Sequence, residues 1–367
     1  MKKIIRFVKA QPVLITAFMA ALITVFIVPP DLQYIGYCNR TVLIQLFCLM
    51  TAVGGFRSIG VFENIAGFLL KKAGNIRCLG IIFTLICFFI SMLVTNDVAL
   101  LTFIPLTLMV YSKINDEKSR ILTIVLETVS ANLGSMITPF GNPQNLYIYD
   151  MYRLSTIDFF RTMLPSGIVS LVILMLLCLL LPKTSCTAET SAKTDVSELH
   201  LWAYIILFAM CLLTVFRVVP DWICLIIAVV SALAFDRKLL LKVDYCLLAT
   251  FLCFFVFVGN IARIDAVSNF FSGILEGREL IISVLLSQVI SNVPASVMLS
   301  GFTQNGAALL LGVNIGGLGT IIASLASLIS FQFYRSSDGA KSGKYMLIFS
   351  IVNFGMLVVL LPFAILI

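Results

Sequence analysis

Apolar runs long enough to cross a bilayer recur along the chain from about residue 13 to residue 365, separated by short polar loops. They fall at roughly 13–29, 41–56, 76–94, 98–111, 120–150, 162–182, 199–217, 221–235, 245–259, 279–290, 293–302, 306–334 and 345–365. In hydrocarbon every backbone N–H and C=O must be paired within its own segment, so these runs predict helices. Two pairs of runs, 76–94/98–111 and 279–290/293–302, break at a polar tip in apolar surroundings: Thr95-Asn96-Asp97 and Ser291-Asn292. These pairs predict re-entrant helical hairpins, 76–111 and 279–302, which turn near the middle of the membrane and leave on the side they entered. Segments 120–150 and 306–334 carry Gly, Pro, Asn and Thr at apolar depth, which predicts two discontinuous helices. The expected fold is an all-α polytopic membrane protein with about nine full crossings.

Two stretches align without a gap: N-L-G-S-M-I-T-P-F-G-N-P-Q-N-L (132–146) and N-I-G-G-L-G-T-I-I-A-S-L-A-S-L (314–328). Asn132 faces Asn314, Gly134 faces Gly316 and Thr138 faces Thr320. Small or polar residues also pair, Gly141 with Ala323, Asn142 with Ser324 and Asn145 with Ser327. A tip lies upstream of each stretch, and V-G-G-F-R (53–57) and V-G-N-I-A-R (258–263) lie upstream of the tips, each opening an amphipathic interfacial segment. Matched landmarks in one order predict an internal repeat, 1–182 and 218–367, joined by the residues 183–217. The joining piece is a Ser/Thr-rich linker, 183–198, and one helix, 199–217. Each half holds four crossings and one hairpin, an even number, so the extra helix inverts the second half. Inverted repeats whose broken helices meet at the midplane are one way secondary transporters build a binding site.

Composition agrees with a bilayer as solvent. The chain is 60% hydrophobic and 12% charged, against about 25% charged in soluble domains, and its mean hydropathy is +1.08. The net charge of +7 reflects topology rather than a nucleic-acid partner. With the N-terminus in the cytoplasm, only Arg40, Arg153, Arg161, Arg217, Arg263 and Arg278 of the 25 basic residues fall outside. The basic N-terminus (Lys2, Lys3, Arg6, Lys9) and the apolar run from Pro12 read as an uncleaved first helix of a multi-pass plasma (inner) membrane protein. The ten cysteines form no CxxC pair and lie mostly in apolar runs, as packing residues do. His200, the single histidine, has no partner in the pattern.

Candidate chemistry concentrates where the helices break. Asn142 can cap the half-helix that resumes after the first break, with Pro143 in its first turn. That N-terminus, and those following Asn96 and Asn292, present free N–H groups and positive dipole ends suited to an anion. The substrate-binding candidates are therefore Thr95, Asn96, Thr138, Gly141, Asn142, Pro143, Ser291, Asn292, Thr320 and Ser324. Carbonyls at the opposite half-helix ends suit a small hard cation such as Na⁺, together with the side-chain oxygens of Asn132, Asn145, Asn314 and Ser327. Asp97 and Glu127 are acids at membrane depth, where a carboxylate is a functional candidate by default. Val293 and Leu309 stand at their equivalents, so the acids predict a coupling-ion or proton site in the first half only. Glycine and small polar residues can also serve helix packing alone; two matched stretches, each with a polar tip, favour a site. Glu63, Arg57 and Arg263 read as interfacial, and Asn260 and Asn353 as helix–helix hydrogen bonds. One histidine and two separated acids supply no nucleophile–base pair or metal cluster for an intramembrane enzyme, and no cofactor is expected beyond a coupling Na⁺.

At these residues the chain resembles the ion transporter superfamily of arsenite permeases, citrate transporters, NhaD-type antiporters and divalent-anion:sodium symporters. The resemblance rests on T-N-D-V-A-L-L-T-F-I-P-L (95–106), the 132–146 and 314–328 stretches, F-V-G-N-I-A-R (257–263) and S-N-V-P-A (291–295), and covers nearly the whole chain. It implies a scaffold, a mobile transport domain, a homodimer and elevator-type movement of a small anion. In carboxylate-transporting relatives Ser-Asn-Thr tips bind Na⁺ and substrate. Here the tips read Thr-Asn-Asp and Ser-Asn-Val, so only the Asn and the preceding hydroxyl carry over. Asp97 turns the expectation toward the arsenite, citrate or antiporter branches. The leading expectation is an anion permease for a citrate- or dicarboxylate-like substrate or an inorganic oxyanion, coupled to Na⁺ or H⁺. The alternatives are a Na⁺/H⁺ antiporter using Asp97 and Glu127, an arsenite-type efflux permease, and a non-transporting membrane scaffold.

Overall fold

A computed structural model describes residues 11–114, 116–186 and 196–366. The basic N-terminal stretch and residues 187–195 of the linker lie outside the described residues. Among those described, the chain is all-helical. The first half comprises α1 (Pro12–Ile27), α2 (Gln33–Tyr37), α3 (Arg40–Ser58), α4 (Val61–Leu70), α5 (Ile76–Ser91), α6 (Asn96–Tyr111), α7 (Glu117–Ser135), α8 (Pro143–Met151) and α9 (Thr156–Cys178). The remainder comprises α10 (Glu198–Val215), α11 (Asp221–Phe235), α12 (Lys238–Lys242), α13 (Tyr245–Ala262), α14 (Asp265–Leu275), α15 (Glu279–Ile290), α16 (Asn292–Ser300), α17 (Gly306–Ile315), α18 (Leu325–Arg335) and α19 (Ser342–Leu366). Among the described residues five helices, α3, α9, α10, α13 and α19, are long and apolar enough to span a bilayer individually. The protein is a multi-pass membrane protein.

The four interruptions fall where polar tips and glycines interrupt the apolar pattern. α5 and α6 have 16 residues each, about 24 Å, against about 30 Å of hydrocarbon. α15 has 12 residues and α16 has 9, so neither arm reaches across. Within each pair the arms pack on one another. The helix begun at Glu117 stops at Ser135 and resumes at Pro143; the one begun at Gly306 stops at Ile315 and resumes at Leu325.

Burial is inverted relative to a soluble domain. Phe26, Leu176 and Leu347 are 81%, 59% and 62% exposed, while Thr123, Glu127, Thr128 and Ser130 on α7 are fully buried. Each first arm packs most closely on the helix leading into its own break, α5 on α7 and α15 on α17. The second arms cross over. α6 packs on α18, beyond the other break, and α16 packs on α8. Around this centre α13 lies against α1, and α3 against α10 and α11. The cysteines among the described residues are free, and Cys211 and Cys224, with sulfurs 3.7 Å apart, fill the α10–α11 contact.

Candidate functional site

The breaks are local consequences of sequence. At the first, Asn142 has extended backbone and its Oδ1 accepts from the Asn145 N–H at 2.9 Å, capping α8, with Pro143 in the first turn. Gly141 must be glycine because a Cβ there would overlap the Ser135 carbonyl oxygen. At the second break Gly319 takes φ +102°, which a side chain disfavours. The Ser291 tip holds φ +75° without being glycine, a strained backbone of the kind found at binding sites.

The tips and breaks are joined by one buried hydrogen-bond network. Asn132 Oδ1 accepts from Asn96 Nδ2 and from Ser324 Oγ, both at 2.9 Å. Asn314 Oδ1 accepts from Asn142 Nδ2 at 3.0 Å, and Asn314 Nδ2 donates to Asn145 Oδ1 at 2.6 Å. The Asn292 backbone N–H and the Ser291 hydroxyl donate to the Ala323 carbonyl at 3.0 and 3.3 Å. Thr138 Oγ1 donates to the Met92 carbonyl at 2.6 Å, and Thr320 Oγ1 to the Gln288 carbonyl at 2.9 Å. Met92 and Gln288 each stand four residues before a tip asparagine. A Cβ on Gly134 would overlap Ser91, and one on Gly316 would overlap Ser287, each five residues before a tip asparagine. Ser327 is buried with an unpartnered Oγ, and Asn132 Nδ2 is likewise unpartnered.

The two acids stand apart. Glu127 is fully buried; its Oε1 accepts from Thr107 Oγ1 at 2.6 Å and from Cys87 Sγ at 3.9 Å, while Oε2 has no partner. Thr107 lies ten residues beyond Asp97 on α6, so the carboxylates are roughly 15 Å apart along the helix and share no site. Asp97, Thr95 and Pro143 instead line a cavity of about 710 Å³ with Arg57, Glu63, Lys242 and Asp244. A second cavity, of about 790 Å³, holds Arg40, Tyr147, Asp150, Arg263 and Ser300. Both are walled by α3 and α13 but from opposite ends, and α8 runs between them.

Residues 4–308 match the sequence profile of the CitMHS citrate transporter family. The chain belongs to this family. An uncharacterized transporter of Methanocaldococcus jannaschii is 36% identical over 88% of this chain and 88% of its own. The inner membrane protein YbiR of Escherichia coli is 30% identical over 79% of this chain and 78% of its own. The silicon efflux transporter LSI3 of Oryza sativa subsp. japonica is 32% identical over 36% of this chain and 28% of its own. In fold, the crystal structure of the Alcanivorax borkumensis YdaH transporter superposes with a TM-score of 0.59, covering 91% of this chain and 86% of that one at 12% identity.

Sequence reasoning about this citrate transporter family member missed Gln288. Its Nε2 donates to the Gly316 and Leu318 carbonyls at 2.9 Å, and its Oε1 accepts from the Thr320 N–H at 2.8 Å. A signal was present: an amide in an apolar hairpin arm, one turn before a tip asparagine. Ser135 was also missed; its Oγ accepts from Asn142 Nδ2 at 3.3 Å.

Proposed function

We propose that this chain is a secondary active transporter of a small anion, citrate- or dicarboxylate-like or an inorganic oxyanion, driven by a Na⁺ or H⁺ gradient. It works as an inverted repeat of about nine crossings. Two re-entrant hairpins and two broken helices move as a transport body against a scaffold, elevator fashion, in a homodimer of the plasma membrane with cytoplasmic N-termini. The observation that carries the reading is the convergence of helix N-termini. The starts of α6, α8, α16 and α18 are tied together through Asn96, Asn132, Ser324, Asn142, Asn314 and Asn292. Four positive dipole ends at one buried, polar place attract negative charge. The matched partners of Thr138 and Thr320, and of Gly134 and Gly316, support the repeat. Two cavities at opposite ends of α3 and α13 support alternating access between them.

The cavity beside Asp97 favours a second reading. Three carboxylates, Glu63, Asp97 and Asp244, face two cations, Arg57 and Lys242. Such a lining suits efflux of a weak, mostly uncharged oxyacid of the arsenite type better than passage of a trivalent anion. The antiporter reading in which Asp97 and Glu127 act together has the least support, given their separation. Proteoliposome assays discriminate among the three. Gradient-driven uptake of labelled citrate, succinate or phosphate supports the first, arsenite efflux the second, and Na⁺/H⁺ exchange without an anion the third. A reconstituted chain that moves none of these refutes transport.

A further inference from the structure

A helix break frees carbonyl oxygens, and in hydrocarbon each must meet a donor or a cation. In transporters of this general build such carbonyls can hold Na⁺. Here side-chain amides hold them. Asn145 Nδ2 lies 3.3, 3.0 and 2.9 Å from the carbonyl oxygens of Ser135, Met136 and Thr138. Gln288 Nε2 lies 2.9 Å from those of both Gly316 and Leu318, and 3.2 Å from the carbonyl oxygen of Val284 one turn back in its own helix. An amide nitrogen carries only two hydrogens, so three oxygens around one nitrogen form a cage rather than a simple bonded pair. Met136 aligns with Leu318, so the cages occupy matching stretches of the two breaks.

The occupants come from different places. Asn145 stands on α8, after its break, whereas Gln288 stands on α15, in the hairpin arm. Its repeat equivalent in the first half is Met92, which has no amide to offer. Two unrelated positions thus bring the same partial positive charge to matching stretches, with one equivalent carbonyl pair, Met136 and Leu318, in common.

The asparagine oxygens suited to a hard cation at the breaks are also engaged; of the other candidates, Asp97 and Glu127 belong to neither cage, and Ser327 Oγ, a single unpartnered hydroxyl, does not make a coordination shell by itself. Asn132 Oδ1 already accepts from Asn96 and Ser324, Asn145 Oδ1 from Asn314, and Asn314 Oδ1 from Asn142. A hard cation is held by oxygens alone, and an amide nitrogen seated among the same carbonyls takes the place the ion would occupy. We infer that the amides of Asn145 and Gln288 stand as fixed surrogates where a coupling Na⁺ would sit, so that this chain works without Na⁺.

The inference rests on the transport reading for its flux arm only; its binding arm is independent of it. Thermal unfolding of the purified full-length chain is compared in NaCl, KCl and choline chloride at equal ionic strength. The three transitions are expected to agree within about 1 °C, because a ligand that does not bind the native state does not stabilise it. A saturable rise of several degrees specific to Na⁺ overturns the inference. Gln288→Ala and Asn145→Ser open one cage each. Each is expected to unfold at lower temperature in KCl and to regain part of the loss in NaCl. No Na⁺-specific recovery in a folded variant overturns the surrogate role, and if neither variant folds the wild-type comparison decides alone. In proteoliposomes, labelled-citrate uptake is expected to be equal under inward Na⁺ and K⁺ gradients of the same size. A several-fold advantage for Na⁺ overturns the inference, whereas no flux in any gradient counts against the transport reading and leaves the unfolding result to judge the amides.

Discussion

Asn132 is one of the points where the two halves of the chain are tied, and its truncation gives a calculable loss. Asn132→Ala removes the acceptor of both Asn96 Nδ2 and Ser324 Oγ, each 2.9 Å away and buried. Orphaning a buried donor costs about 1–3 kcal/mol, so two cost roughly 2–6 kcal/mol. Against this, Asn132 Nδ2 is already buried without a partner, and deleting it returns about 1–3 kcal/mol. The net expectation, the cost of one buried donor, is a destabilisation of about 1–3 kcal/mol, seen as a lower unfolding temperature. The same accounting predicts a gain elsewhere. Asn314 Nδ2 finds Asn145 Oδ1 at 2.6 Å, whereas the equivalent pair, Asn132 Nδ2 and Ser327 Oγ, is unmade. Ser327→Asn extends the shorter side chain toward the orphaned amide and is expected to raise stability by about 1 kcal/mol. Thermal unfolding of the detergent-purified chain, followed by intrinsic fluorescence, measures both. An Asn132→Ala protein that unfolds with the wild type refutes the hub. A Ser327→Asn protein markedly less stable than wild type refutes the matched geometry.

Three further outcomes are expected. Gly134→Ala drives a methyl into the Phe88 carbonyl and the Ser91 hydroxyl, a backbone collision that cannot relax by rotamer change. It should cost at least about 1–3 kcal/mol and lower the yield of folded protein, whereas Gly355→Ala, with open space around it, should not. Asp97→Asn should abolish gradient-driven flux without loss of folded protein, because the carboxylate faces the cavity, while Glu127→Gln should retain flux; the reverse pattern in liposome uptake would reassign the coupling group. At the surface, Arg263 holds the Asp31 carboxyl below the usual carboxylate range through a 2.7 Å contact. A depressed native value means stability present above the ordinary aspartate range and lost as pH falls through the lowered value. Asp31→Asn should therefore lower the unfolding temperature slightly at neutral pH and make no difference once the pH has fallen below the lowered value, the effect staying small because the pair is exposed.

Much of this was legible because lipid leaves few choices for backbone. Polar tips and Gly/Pro/Asn clusters in apolar runs mark breaks wherever they occur, and helices end within a few residues of Thr95, Asn142, Ser291 and Ser324 as their types require. The alignment set Asn132 and Asn314 at equivalent positions, and each bonds across to the other half. What could not be read was which atom faces which. Thr138 and Thr320 read as substrate contacts but spend their hydroxyls on hairpin carbonyls, because a threonine near an unwound segment serves either purpose and only three-dimensional packing chooses. Asp97 and Glu127 read as a pair because both are acids at depth in one half. Ten residues of helix, with Pro105 among them, separate their surroundings, and helical rise is invisible to an alignment of landmarks.

The two hairpins are not held equally, and this bears on which one moves. At the second tip Gln288 makes three bonds to the 316–320 segment, Thr320 returns one, and Ser291 and Asn292 both reach Ala323. The first tip is tied to its break by Thr138 to Met92, with Asn96 bonded to Asn132 beside it, and Asp97 next to it faces a cavity with its Oδ1 unpartnered. The cage over the first break is closed by Asn145 on α8, so it stabilises the break without fastening the hairpin. Fewer bonds that must break together mean a lower free energy of local opening. Backbone amides of 94–98 should consequently exchange with deuterium faster than those of 290–294 in the detergent-purified chain. Gln288→Ala should speed exchange at 290–294 toward the rate of the first tip and leave 94–98 unchanged. Equal protection of the two tips in the wild type would mean that the amide at Gln288 carries no restraint, and the first hairpin would not be the more loosely held of the two.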